Sequence, residues 1–292
     1  MRRANIVAAC IGLCGLIVSL PAARAEDQKP IKALLVCGGC CHDYLHQKDI
    51  LTKGVSARAN VEWTIAYDPD TTTHHKNPVY DNPDWYKGFD VIVHDECSSD
   101  VKDMETIDRI LEPHRHGLPG VNLHCAMHCY RSDPYPMTTP WMEFTGMNTN
   151  HHNAQIPIAI TFSDSSSPIT KGMDNWTTIR EELYHAEQLL PTAHALASGR
   201  QNTRREPESV VIWTNDYHGT RVFSTTLGHN NDTVADGRYL DLITRGLLWS
   251  VNKLDSEYHK PAAHARASAA TARVAAAPVD TASAQASGCG CE

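Results

Sequence analysis

The sequence predicts an α/β fold, a mostly parallel sheet with helices on both faces. Three observations predict it. Apolar runs such as "IKALLVC" (31–37) are continuous, as in strands buried on both sides. Segments with helical spacing follow them, so strand and helix alternate. The early runs end in polar, His-containing turns, and parallel sheets carry their sites at such carboxyl ends.

The elements follow in order. The first strand ends at Gly38-Gly39, and the stretch from Asp43 to Val55 places Leu51 and Val55 at helical spacing. "VEWTIAY" (61–67) alternates and reads as a strand, and 71–88 is a polar loop with Pro78 and Pro83. "FDVIVHDE" (89–96) is the next strand. Ser98 or Ser99 is expected to cap a helix to about His116, with Met104, Ile107 and Leu111 on one face. "LPGVNLH" (118–124) reads as a strand and 125–130 as the start of a helix. Strands are expected at 156–162, 194–198, 209–214 and 221–228. The last helix, 237–252, gathers Tyr239, Leu242, Ile243, Leu247 and Trp249 on one face.

The ends differ from this body. Residues 1–25 have two arginines, an apolar stretch and Ala23-Arg24-Ala25, the layout of a signal peptide cut before Glu26. Residues 26–30 form a short leader and 31–254 the folded domain. Residues 255–292 are rich in Ala, Ser and Thr and read as a disordered tail ending in Cys289-Gly290-Cys291. The expected location is periplasmic or extracellular, with no membrane span after cleavage. Loss of three arginines moves the formal charge from −8 to −11. With no Lys/Arg cluster, nucleic acid is not an expected partner.

Eight of the ten cysteines and all 17 histidines lie beyond residue 25. Export permits disulfides. Cys40 and Cys41 are adjacent, so a bond between them is expected to be strained, and Cys97 or Cys125 are the alternative partners. Gly38-Gly39 belongs to no phosphate-binding motif, which argues against nucleotide binding.

Several stretches together resemble one family. "ALLVCGGCCHD", "GVNLHCAMHCY", "SPITKGM", "EELY" and "GTRVFSTTLGHNNDT", followed by "LITRGLLWSVN", look like the trehalose-utilisation (ThuA-like) family over about residues 32–253. The resemblance implies a flavodoxin-like, class I glutamine-amidotransferase-like fold. It also implies a role in the metabolism of trehalose-like disaccharides or their keto derivatives. His42, His124, His152 and His229 match the family pattern. Ser167 and Glu181 depart from it, and the cysteines at 40, 41, 125 and 129 are additions.

His42, His124 and His229 each follow a predicted strand. Imidazoles so placed can hold a divalent metal such as zinc, with Glu182 or Asp43 as the added carboxylate. The alternative is that they bind sugar hydroxyls or order loops. His124 and His229 are the expected catalytic pair. His42, Asp43, His94, Asp95, His152, Glu182 and Tyr184 are expected to contact a small carbohydrate. Cys125, at a strand-to-helix turn, is a candidate nucleophile. Trp85 and Trp141 fall in predicted loops and are candidates to stack on a sugar. His74-His75 reads as solvated.

The functional expectation is a carbohydrate-active protein, as a hydrolase, lyase or isomerase and as a candidate homo-oligomer. The alternatives are a non-catalytic sugar- or partner-binding module and a Cys-dependent hydrolase of amidotransferase type.

Overall fold

The computed structural model describes residues 29–201, 207–254 and 258. The signal, residues 26–28 of the leader and nearly all of the tail, Cys289 and Cys291 included, lie outside the described residues.

The chain opens with β1 (Ile31–Gly39), α1 (Tyr44–Ser56), β2 (Val61–Asp68), β3 (Val91–Cys97), α2 (Met104–Arg115) and β4 (Gly120–Leu123). It continues through α3 (Pro140–Thr145), β5 (Met147–Asn148), β6 (Ile158–Phe162), β7 (Trp176–Thr177) and β8 (Gln188–Leu189). It closes with β9 (Ala193–Gln201), β10 (Ser209–Tyr217), β11 (Thr220–Thr225), α4 (Asn231–Val234) and α5 (Gly237–Ser250).

One sheet of nine strands runs β2-β1-β3-β4-β11-β10-β9-β6-β7. From β2 to β11 the pairing is parallel, and from β11 to β7 it is antiparallel. The antiparallel half arises because β10 and β11 are joined at Tyr217–Thr220 by a tight turn through Gly219 at positive φ. A turn that short reverses the chain, whereas a parallel pair needs a long crossover.

Alternation along β1 sends Ala33, Leu35 and Cys37 to one core and Leu34 and Val36 to the other. Helices α1 and α5 cover the first face through Leu51, Val55, Leu242 and Leu247. Helices α2 and α3 cover the second through Ile107, Ile110, Leu111, Trp141 and Phe144. The cap of α2 is Asp103, which accepts from the Thr106 amide, and not Ser98 or Ser99. Residues 124–128 make a short 3-10 turn where a helix was expected.

Strand order reverses between β1 and β3. Such a switch point opens a crevice at the carboxyl ends of the strands. The "CGGCCHD" turn lies over it. Gly39 has φ +94°, and a Cβ there would sit 2.1 Å from the Cys97 carbonyl oxygen. Only glycine fits this crossing.

Candidate functional site

His42, His124 and His229 converge at the switch point. Ring centroids are 4.6 Å apart for His42–His124, 4.7 Å for His42–His229 and 5.4 Å for His124–His229. One donor atom from each lies within 4.8 Å of the other two. His42 arrives from the turn after β1, His124 from the end of β4, and His229 from the turn after β11.

Glu182 is the shared carboxylate. Its Oε2 lies 3.2 Å from His229 Nδ1, 3.5 Å from His124 Nε2 and 3.7 Å from His152 Nε2. The approach to His229 lacks hydrogen-bond alignment, and Nδ1 is buried without a partner. Glu182 Oε1 accepts from Gln155 Nε2 at 3.2 Å, and the same amide nitrogen lies 2.7 Å from His229 Nε2. His152 and Glu182 are brought together because 152–156 bridges 181–184 in antiparallel fashion at His152–Tyr184 and Ile156–Glu181.

Electrostatics distinguishes the three rings. Burial pushes His42 below the usual histidine range, and any charge on His124 or His229 pushes it further, so His42 is neutral. Its Nδ1 is buried without a hydrogen-bond partner. Burial also works against a charge on His124, but the hydrogen bond and charge of Glu182 overcome it and raise the pKa. Nδ1 of His124 donates to the Thr226 carbonyl at 2.6 Å, which leaves Nε2 facing Glu182. Burial disfavours the Glu182 carboxylate, yet the close approach of the His124 and His229 rings holds it far below the usual carboxylate range.

A second layer supports the first. Tyr184 places its OH 3.4 Å from His124 Nε2 and stacks on His128 with centroids 4.1 Å apart. His152 stacks on the same Tyr184 ring at 5.3 Å. Burial, then the Arg131 charge, holds His128 below the usual range. The His229 turn is fixed from both sides. Glu181 accepts the amides of residues 228–230, and Gln47 Nε2 donates to the carbonyls of Gly228 (3.3 Å) and His229 (3.0 Å).

Other expected residues fall elsewhere. Asp43 is exposed and bonds His46 and Asn231 instead of joining the histidines. It lines a cleft of about 180 Å³ on the outer side of His42, together with Tyr67, Asp68 and Asp70. His94 lies on the opposite face of the sheet, because β3 alternates and position 94 shares a face with Ile92. There it contacts Glu96 (2.9 Å), His114 (3.1 Å) and the Trp141 ring. Asp95 lies on the cleft-side face but is buried, and burial raises its pKa to about 7 against the charge of His124.

Four further expectations are corrected. Cys125 is bonded to Cys97, so the thiolate required of a nucleophile is not present. Cys40 and Cys41 form the adjacent disulfide that was not expected. Trp85 and Trp141 are buried, Trp141 in α3 with its Nε1 donating to the Ala126 carbonyl, so neither offers a face to a sugar. His75 is also buried, bonded to Ser98 Oγ at 3.0 Å. A larger cavity of about 670 Å³, between Ile31, Asp90, Pro119 and Lys253, contains none of these site residues.

Fold and site define a flavodoxin-like α/β protein with a polyhistidine cleft at the sheet's switch point. Residues 33–250 match the ThuA family, described as trehalose utilisation, and the chain belongs to that family. It is similar in fold to a ThuA-like protein from Parabacteroides merdae, at 20% identity and TM-score 0.60, over 78% of this chain and 93% of that one. A ThuA-like protein from Bacteroides uniformis is similar at 14% identity and TM-score 0.59, over 83% and 99%. No curated protein matches the chain.

Glu181, Gln47, Gln155 and His128 were not among the sequence candidates. His128 carried a signal, since it lies one turn after His124 in "HCAMH". The other three act through bonds between residues far apart in sequence.

Proposed function

We propose that this protein is an exported, carbohydrate-active enzyme that acts on trehalose-like disaccharides or their keto derivatives in the His42–His124–His229 cleft. The cleft holds one divalent cation such as zinc. The observation that carries this reading is the convergence of three imidazoles, two of them, His124 and His229, beside the Glu182 carboxylate. Two of the ring nitrogens there, His42 Nδ1 and His229 Nδ1, are buried and without hydrogen-bond partners. Buried polar atoms are normally satisfied, so such atoms call for an explanation.

The donor set fits a cation. His42 is neutral, and His124 has its proton placed on Nδ1 by Thr226, which frees Nε2. The negative charge of Glu182 needs a positive counterpart, either a protonated His124 or a bound cation. Three imidazoles and one carboxylate suit zinc. The cation would polarise a sugar carbonyl or hydroxyl. Tyr184 OH, beside His124, and the His152 ring, beside Glu182, stand where they can orient a sugar.

The purified protein tests this against a panel of trehalose, its 3-keto form and related glycosides. Turnover of one of them, lost in His124→Ala with the fold retained, is the expected result. Binding without turnover would make the protein a binding module. Neither binding nor turnover would remove the sugar assignment.

A further inference from the structure

Four sulfurs meet behind His42. Cys40–Cys41 and Cys97–Cys125 are disulfides, and Cys40 Sγ lies 3.4 Å from Cys97 Sγ, so the pairs are in contact end to end. They come from three places in the chain: the turn after β1, the end of β3, and the residue after His124. Cys97 and Cys125 each also offer a sulfur within 4.8 Å of a His42 nitrogen.

The Cys40–Cys41 bond joins neighbours and closes no loop. A disulfide stabilises largely by restricting the unfolded chain, and more so for longer loops, so this one contributes little in that way. Exposure is also graded. Cys41 is half-buried, while Cys40, Cys97 and Cys125 are 3%, 0% and 2% exposed. A line of sulfurs therefore runs from the surface to the edge of the histidine cleft.

We propose that these four cysteines form a thiol–disulfide exchange centre whose substrate is a low-molecular-weight thiol. The thiolate attacks Cys41 Sγ, forms a mixed disulfide there and releases Cys40 as thiolate. Cys40 then attacks Cys97, across the 3.4 Å contact, forming Cys40–Cys97 and releasing Cys125. A second thiol attacks the mixed disulfide, leaves as the oxidised dimer and frees Cys41. Two thiols are oxidised and one of the two protein disulfides is reduced. The two protons end on Cys41 and Cys125. Each exchange delivers a free sulfur beside His124.

Alkylation and peptide mapping test the centre on the intact protein. Before thiol is added, Cys40, Cys41, Cys97 and Cys125 should resist iodoacetamide. Limiting glutathione should then yield a Cys40–Cys97 linkage with label on Cys41 and Cys125. In Cys40→Ser the labelling of Cys125 at the same dose should fall roughly tenfold or more, since the relay lacks its middle thiolate. Cys41→Ser should give the Cys40–Cys97 linkage and labelled Cys125 with no added thiol, and circular dichroism checks that both variants fold. Wild-type labelling of Cys125 in Cys40→Ser overturns the relay. So does an isolated protein with all four thiols open to alkylation or holding a soft cation.

Discussion

Glu181 holds His229 by its backbone. Oε2 of Glu181 accepts from the His229 amide at 3.0 Å, and the same carboxylate takes the amides of Gly228 (3.3 Å) and Asn230 (3.1 Å). The carboxyl is fully buried, so these charge-assisted bonds form away from water. They set the turn that carries the His229 ring to the cleft.

Glu181→Gln should therefore destabilise the protein and misplace His229. The amide keeps one acceptor and turns its NH2 toward backbone N–H groups. Leaving buried donors unsatisfied is worth about 3 kcal/mol. For a domain of this size that is a fall in Tm of roughly 6–12 °C. A melt within a degree of wild type, with unchanged turnover, would contradict the assignment.

Gly39→Ala should be at least as damaging. The new methyl would meet the Cys97 carbonyl oxygen at 2.1 Å, and the φ of +94° disfavours any side chain. Backbone must move on both β1 and β3, at a cost of roughly 3 kcal/mol or more. Denaturant unfolding measures it, and Gly88→Ala is the control, because it shares a positive φ but has open space around it.

His114 predicts part of the acid sensitivity. Burial, then the neighbouring His94, depresses its pKa to about 3, so it is neutral in the fold and charged in the acid-unfolded chain. The unfolded state takes up this proton first. Stability from this group is present above pH ~6.5 and is lost progressively as pH falls toward ~3. Unfolding free energies measured from pH 7 to pH 4 should fall less steeply in His114→Gln than in wild type. Parallel slopes would show that His114 does not contribute.

Asp95 has the opposite sign. Burial raises its pKa to about 7, so the fold favours the protonated acid. Its penalty grows as pH rises from ~4, the unfolded value, toward 7. Asp95→Asn should gain stability relative to wild type at pH 8 and show a smaller difference at pH 5. Equal differences at both pH values would place the charge elsewhere.

The parallel half of the fold was legible because β1 and β3 are largely apolar runs and β2 alternates, and the three histidines because each follows a readable strand. His94 was misplaced because alternation assigns it a face only once the crevice side is known, and the crossovers decide that. Trp141 had a readable signal that was missed: Thr139 caps α3 through the Met142 amide and Pro140 opens it, which marks a short helix and a packed Trp. Glu181 and Gln47 had none, since their partners are main-chain groups 47 or more positions away. The Cys40–Cys41 bond was legible only as an adjacency. Its meeting with Cys97 depends on the β1–β3 register, in which Gly39 pairs Cys97.

The most direct test of the central claim is elemental analysis of protein purified without a metal-affinity tag. The three-histidine cleft predicts one divalent cation per chain, lost in His124→Ala and in His229→Ala while circular dichroism stays native. A cation-free protein that turns over its sugar unchanged by chelators, or a metal content untouched by both substitutions, would contradict it.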